Sequence, residues 1–519
     1  MITIPDIIQQ RVAAMPDQPA LIESPNGVHR ELTYRELDVL SSAFAKRLYQ
    51  NGVRPAETVL VFVPMSISLY VCLLGIFRLG ATAVFLDPSA GLKHINDCCQ
   101  IQRPRAFLGT WKAHLLRLAS PALRHIPLHF WISSDPKRPA GVGSLPATIS
   151  TPQTDTPALI TFTSGSTGKP KAAMRTHGFL IAQHQALSEA IDLKPGESDL
   201  ATLPIFVLAN LASGVTSILP DADMSRPGLI DSRCVARQIE RYRPTRSEGS
   251  PAFYERLLSA PQNETSSLLS FQNIYTGGAP IFPSLLEKIQ KAAPQANVVA
   301  VYGSTEAEPI SHIDWKQISS DDLKAMRSGK GLLVGQPVPQ IEVAILHDQW
   351  GQPLGQLTVS EFEKKRVPLG QHGEICVTGE HVLKGYLNGQ GDSETKFKVD
   401  DKTWHRTGDA GYLDESGRLW LLGRCAARVE DSRGTLYPFT VECVAQTYPF
   451  VRRSAFLGKD NQRFLAVEYS QVPTTAERDT LLHSLKWAHI DRLIPLKNIP
   501  VDRRHNAKVD YPSLLRIIK

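Results

Sequence analysis

Three short apolar runs, Leu159-Ile-Thr-Phe162, Asn273-Ile-Tyr275 and Val298-Val-Ala-Val-Tyr302, each break into a turn rich in Gly, Ser or Thr. Runs of this length bounded by turn residues predict buried strands. Earlier, Thr58-Val-Leu-Val-Phe-Val63 is ended by Pro64, and a helical stretch over about 66–79 leads to a second run, Ala83-Val-Phe-Leu86. Strand, helix and strand joined by short links predict a parallel sheet with a right-handed crossover. In open α/β sheets ligands bind beyond the carboxyl ends of the strands, so the three turns predict one shared pocket.

The rest of the chain sets limits on what surrounds that pocket. With roughly 100–200 residues per domain, 519 residues allow two to four domains, or a large one and a small one. Thr33-Tyr-Arg-Glu36 forms a capping box, and Leu37, Leu40, Phe44 and Leu48 then mark one helical face, stopped by Asn51-Gly52. After about residue 370 the pattern turns to strand-like alternation, as in Gly373-Glu-Ile-Cys-Val-Thr-Gly379. A boundary near Leu422 separates residues 1–422 from a smaller α+β segment, 423–519, with a strand at Phe464–Tyr469 and a helix around Ala476–Ala488.

Composition excludes several classes. The net charge of +6 is spread along the chain with no basic arm, which argues against nucleic acid as a partner. The seven cysteines form no CxxC pair, so neither a disulfide framework nor a zinc ribbon is expected, and scattered thiols fit a reducing compartment. Met1–Pro16 carries Asp6 and no long apolar core, unlike a signal peptide. The most apolar stretch, Ile67–Leu86, is interrupted by Arg78, Gly75 and Gly80, and reads as a buried helix and strand rather than a membrane span. A cytoplasmic protein, monomeric or homodimeric, is expected.

The sharpest local signal is Thr161-Phe-Thr-Ser-Gly-Ser-Thr-Gly-Lys-Pro-Lys171. Glycines let backbone amides approach an anion closely, hydroxyls add donors, and lysines add charge. This is the chemistry that a polyphosphate requires. The spacing is not that of a Walker A loop, because Gly165 and Gly168 enclose two residues and Pro170 follows Lys169.

The loop resembles the signature of the adenylate-forming superfamily of acyl-CoA synthetases, luciferases and nonribosomal-peptide adenylation domains. Further motifs follow in that family's order. They are Tyr275-Thr-Gly-Gly-Ala-Pro280, Val301-Tyr-Gly-Ser-Thr-Glu306, Arg406-Thr-Gly-Asp-Ala-Gly-Tyr412 with Gly417-Arg-Leu-Trp-Leu-Leu-Gly-Arg424, and Arg504-His-Asn-Ala-Lys508. The resemblance spans nearly the whole chain. It implies an α/β fold, with a large multi-layer N-terminal domain of mostly parallel sheets and a small α+β lid. It also implies ATP-dependent conversion of a carboxylic acid to an acyl-adenylate with release of pyrophosphate.

The resemblance further implies residue roles. Thr163, Ser164, Gly165, Ser166, Thr167, Gly168, Lys169 and Lys171 would wrap the β- and γ-phosphates. Gly277, Gly278, Ala279 and Pro280 would flank adenine, Tyr302 would stack on it, and Gly303 and Ser304 would continue that wall. Thr305 would bond the α-phosphate, and Glu306, with Thr167, would hold Mg²⁺. Asp409 would accept from both ribose hydroxyls and Arg424 would add a ribose or phosphate contact. Lys508 would bridge the substrate carboxylate and the α-phosphate, offsetting the repulsion between two anions. His177, after Thr176, reads as structural.

The chain also departs from the common pattern. Val207, in Leu203-Pro-Ile-Phe-Val-Leu-Ala209, stands where many CoA ligases carry histidine or an aromatic. Ala426 occupies the usual Asp or Lys hinge position, and Ala507 replaces the glycine before the lysine. Together with Arg428-Val-Glu-Asp-Ser-Arg-Gly434, Val451-Arg-Arg-Ser-Ala455 and Pro500-Val-Asp-Arg-Arg-His-Asn-Ala-Lys508, these resemble the β-lactone synthetases of bacterial olefin biosynthesis. There the β-hydroxyl of a fatty acyl-adenylate displaces AMP, so CoA is not required. Three fates of the adenylate stay open: transfer to CoA, ring closure, or transfer to an amine or carrier-protein thiol. A non-catalytic nucleotide-binding protein is the alternative of another class. Phe206, Leu208, Leu211 and Val215 are the candidate lining of an apolar acid pocket.

Overall fold

The computed structural model describes residues 2–87, 90–133, 151–164, 170–259, 266–502 and 508–518. Among these residues the strands gather into a six-stranded sheet, a fifteen-stranded mixed sheet and two small sheets.

The six-stranded sheet runs Leu128–Trp131, Ala106–Gly109, Thr58–Phe62, Thr82–Phe85, Pro157–Ser164, Pro170–Thr176. Its first five strands are parallel, and the last doubles back antiparallel, with Thr163 opposite Lys171. The crossover helix Ile67–Leu79 explains the most apolar stretch of the sequence: all of its residues but Arg78 are buried. Ser66 Oγ accepts the Leu69 amide at its start, and Gly80, at φ +71°, ends it. It packs on helix Tyr34–Gln50 at Gly75, where a Cβ would lie only 3.0 Å from the Ser41 carbonyl. Helix Tyr34–Gln50 begins with the expected capping box, Thr33 Oγ1 accepting the Glu36 amide at 3.2 Å.

The large sheet is parallel from Pro19–Glu23 through Thr216–Leu219, Ser198–Ala201, Arg246–Gly249 and Asn273–Gly277 to Asn297–Ser304. Helices Pro204–Ser213, Pro251–Leu258 and Pro283–Ala292 return the chain, each opening on a proline whose missing N–H costs nothing in a first turn. Past Ser304 the chain reverses into Ala307–Asp314. From there the sheet is antiparallel through Leu332–Pro337, Leu419–Arg424, Lys402–Leu413 and Gly373–Thr378. The strand-like alternation of the sequence after residue 370 belongs to this antiparallel half.

The chain leaves the large sheet at Arg424, makes a 3₁₀ turn over Cys425–Ala427 and enters a hairpin, Val429–Asp431 with Gly434–Leu436. A three-stranded sheet follows, with Val451–Lys459 and Gln462–Tyr469 antiparallel and Arg492–Leu496 parallel to the second. Its core holds Phe450, Phe456, Leu465 and Leu481. The helix expected over Ala476–Ala488 is Thr475–Ser484, followed by a separate 3₁₀ turn at Lys486–Ala488. His489 closes that turn in the left-handed region at φ 49°, which a continuing α-helix does not tolerate. Among the described residues no helix is long and apolar enough to cross a membrane.

Candidate active site

The carboxyl ends of Asn273–Gly277 and Asn297–Ser304 open onto a cleft of about 1370 Å³. Gly278, Ala279, Pro280, Tyr302, Gly303, Ser304, Asp409, Arg424 and Lys508 all line it. These residues come from distant parts of the sequence, and parallel strand order brings the 278–280 and 302–304 turns together. Strands Asn273–Gly277 and Asn297–Ser304 are neighbours in register, with Gly277 opposite Val301, so their terminal turns lie side by side.

Glycine is needed at two of these turns. Gly278 sits at φ +84°. At Gly303 a Cβ would come within 3.1 Å of the Ala307 carbonyl, so any side chain would push the turn open. Ser304 Oγ is buried and has no hydrogen-bond partner among the described residues, an unsatisfied donor at the cleft wall. Such groups cost about 1–3 kcal/mol unless a ligand or water completes them.

Tyr302 donates its hydroxyl to Asp409 Oδ2 at 2.8 Å. Burial and the adjacent carboxylate push its phenol well above the ordinary tyrosine range. The other Asp409 oxygen faces Arg424 Nε at 3.2 Å, across the pairing of Lys402–Leu413 with Leu419–Arg424. Thr407 Oγ1 accepts the Asp409 amide at 3.0 Å, fixing the turn. A carboxylate so braced is a rigid acceptor lining the cleft.

Lys508 reaches the cleft from the other end of the chain. A short pairing of Val501 with Val509 carries it. Asp502 and Lys508 bond twice: the Asp502 amide to the Lys508 carbonyl at 2.8 Å, and the Lys508 amide to Asp502 Oδ1 at 2.9 Å. Arg452 and Arg453 share the same wall.

The remaining expected residues border this cleft or lie outside its lining. Glu306 lies behind the 304–307 reversal in a buried polar group that sequence reading missed. Tyr386 donates to Glu306 Oε1 at 2.7 Å, and Lys396, His405 and Arg175 lie close enough to act on its charge. Burial opposes ionisation of Glu306, but these neighbours outweigh it and hold its carboxyl below the ordinary glutamate range. Burial pulls Lys396 down to about 8, and burial together with that lysine pulls His405 down to about 3. Arg175 joins the two sheets, donating to Thr161 Oγ1 at 2.9 Å and to the Thr305 carbonyl at 2.6 Å. Lys171 is buried and bonds Glu394 Oε2 at 2.7 Å rather than lining the cleft. Gly277, Thr305 and Glu306 adjoin the cleft residues Gly278 and Ser304 along the chain, and Thr163 is not among the lining residues. Ser164 ends its strand, and Gly165, Ser166, Thr167, Gly168 and Lys169 lie outside the described residues. No local pattern flagged this polar group: Lys171 and Glu394 are 223 positions apart, and only folding brings them together.

His177 is structural, as expected. It is fully buried, its ring packs edge-on to Phe77 at 5.7 Å, and burial lowers its pKa to about 4. Two of the candidate acid-pocket residues, Leu211 and Val215, are plain core at 0% exposure. Phe206 packs with Leu187, Tyr275, Val299 and Val301. Leu208 instead lines a separate small apolar pocket between helices Ile4–Ala14, His177–Ala190 and Pro204–Ser213. The Phe206 cluster touches that cavity through Leu187 and Ala209, and the cleft through Val301.

Comparison with known proteins agrees with this geometry. Residues 8–387 match the family model described as AMP-binding enzyme. The olefin beta-lactone synthetase of Xanthomonas campestris pv. campestris is 32% identical over 93% of this chain and 90% of that protein. The olefin beta-lactone synthetase of Stenotrophomonas maltophilia is 31% identical over the same shares. 4-Coumarate-CoA ligase 1 of Narcissus pseudonarcissus is 24% identical over 85% of this chain and 78% of that protein. Among solved structures, the amide bond synthetase McbA of Marinactinospora thermotolerans superposes with a TM-score of 0.80 at 20% identity, covering 99% and 100% of the two chains.

Proposed function

Because the chain belongs to the AMP-binding enzyme family, we propose that its cleft joins ATP to an apolar β-hydroxy carboxylic acid and that the acid's own hydroxyl then displaces AMP. The chain is an AMP-forming acid ligase. The observation that carries the adenylation geometry is that Lys508 lines the same cleft as Tyr302, Ser304, Asp409 and Gly278.

In this reading Asp409, fixed by Tyr302 and Arg424, accepts from the ribose diol, and Tyr302 and the 277–280 turn enclose adenine. The substrate carboxylate oxygen bonds to the α-phosphorus as the bond to pyrophosphate breaks. Lys508 stabilises the charge on both reactants where water is largely excluded. Glu306 is held ionised with Oε1 fixed by Tyr386, and no cluster of three metal-ligating side chains occurs among the described residues. That donor set fits Mg²⁺, a hard cation that takes one or two carboxylates and completes its shell with phosphate oxygens and water. Glu306, with Thr167, would hold it, and it would neutralise phosphate charge.

The second step is proposed from similarity to the two olefin beta-lactone synthetases and from Val207, Ala426 and Ala507. The β-hydroxyl oxygen attacks the acyl carbonyl carbon, the bond from that carbon to the phosphate oxygen breaks, AMP leaves and the hydroxyl proton is released. The second reading, transfer to CoA, is supported by the coumarate ligase relative; a carrier-protein thiol is its variant. Residues 423–519 act as the mobile lid that brings Lys508 to the cleft, and the buried free thiols support a cytoplasmic setting.

The test is product analysis. The protein is incubated with ATP, Mg²⁺ and a series of β-hydroxy acids, with and without CoA. AMP and a β-lactone without CoA are expected. Strict CoA dependence with thioester formation would refute ring closure while leaving adenylation intact.

A further inference from the structure

Two lysines lie over the ring of Tyr386. The Lys171 ammonium lies 5.7 Å and the Lys396 ammonium 5.6 Å from the centre of its ring. Neither cation is free to leave: Lys171 bonds Glu394 at 2.7 Å, and Lys396 bonds the Leu383 carbonyl and approaches His405 Nδ1 at 3.1 Å. The backbone is equally fixed. The Tyr386 amide donates to Asp392 Oδ1 at 2.8 Å, and the residue bridges to Ala173 of strand Pro170–Thr176. Tyr386 is 7% exposed, and its hydroxyl donates to Glu306 Oε1 at 2.7 Å, with Thr163 and Thr395 also within its reach.

A carboxylate pinned at one oxygen presents the other in a set direction, and no described donor reaches Glu306 Oε2. Glu306 is anchored from its backbone as well, its carbonyl accepting the Leu383 amide at 2.7 Å. We propose that Tyr386 is a positioning residue: it orients Glu306 toward the metal–nucleotide, with Lys171 and Lys396 packed over its ring. This rests on the reading of Glu306 as the metal-holding carboxylate. It assigns Lys171 to holding Tyr386 rather than to a phosphate. Partners that fix a metal-ligating side chain from outside typically change metal affinity ten- to a hundredfold when lost.

The experiment uses the full chain with a non-hydrolysable ATP analogue and Mn²⁺, whose binding is read by electron paramagnetic resonance. Tyr386→Phe keeps the ring beneath both lysines and removes the hydroxyl that donates to Glu306. It should weaken Mn²⁺ binding about tenfold or more, with metal-free nucleotide affinity and melting temperature near those of the parent. Glu306→Gln should weaken Mn²⁺ binding further, and the double variant should match Glu306→Gln alone. Parent-like Mn²⁺ binding by Tyr386→Phe, or losses that simply add in the double variant, would overturn the proposal. Unchanged Mn²⁺ binding by Glu306→Gln would instead bring down the assignment of Glu306, and the proposal with it. If Tyr386→Phe does not fold, 3-fluorotyrosine at position 386 carries the test by ¹⁹F NMR. Its resonance should move on Glu306→Gln and on metal–nucleotide binding, and a resonance unmoved by both would overturn the proposal.

Discussion

Glu442 offers a sharp test of the forces that hold the Lys508 segment. It lies on helix Pro438–Ala445, 2% exposed. Its Oε1 accepts the Phe456 amide at 2.9 Å and the Tyr511 hydroxyl at 2.7 Å, and Tyr511 follows closely on Lys508. Burial dominates over both bonds and raises the carboxyl to about 7. A carboxyl raised in the folded state stabilises the fold fully below the unfolded value, about 4.3. That contribution is lost as pH climbs through about 7. The gap corresponds to about 3 kcal/mol, or about a hundredfold in an opening equilibrium. Glu442→Gln keeps an oxygen for both donors and cannot ionise. Hydrogen exchange of peptides across Val451–Lys459 should therefore show the variant gaining protection relative to the parent between pH 5 and pH 8.5, by up to about a hundredfold. Any cost of seating the amide NH₂ is constant with pH and drops out of that difference. A variant-to-parent ratio that is flat with pH, or that falls as pH rises, would refute the argument.

Other outcomes follow from the same geometry. Lys508→Ala should cut ATP–pyrophosphate exchange by about 10²–10³ with little change in melting temperature; undiminished exchange would remove the lysine from the first step. Asp409→Asn loses the charged acceptor and leaves Arg424 unpaired, so the KM for ATP should rise at least tenfold, about 1.4 kcal/mol, as read by the same exchange assay. Glu374 and Arg406, each 1% exposed, form a two-pronged pair at 2.6–3.1 Å. Glu374→Gln strands a buried guanidinium and should destabilise the protein by about 3–5 kcal/mol in urea unfolding; a loss under 1 kcal/mol would refute that reading.

Local chemistry made much of this protein legible from sequence. A helix start announces itself within four residues, as Thr33 and Glu36 do, and a buried strand within five, as Val298–Tyr302 does, because capping and a continuous apolar run are short-range signals. Motifs ending such strands could be placed on one cleft, since adjacent parallel strands put their turns side by side. Tyr302, Ser304 and Gly278 end such strands, whereas Asp409 and Arg424 lie on antiparallel strands and came from the family resemblance.

What sequence could not decide were contacts between distant segments. Lys171 carries every sequence mark of a phosphate-loop lysine, yet it is turned inward to Glu394 and Tyr386. Leu208 and Leu211 lie one helical turn apart in the same apolar helix, yet one lines a cavity and the other is core. The ionisation of Glu306 and Lys396 depends on neighbours drawn from strands and loops far along the chain. Sequence fixes which groups are available and the local shape that presents them. Packing alone decides which buried charges face one another, because desolvation and Coulomb attraction depend on distance in space and not on separation along the chain.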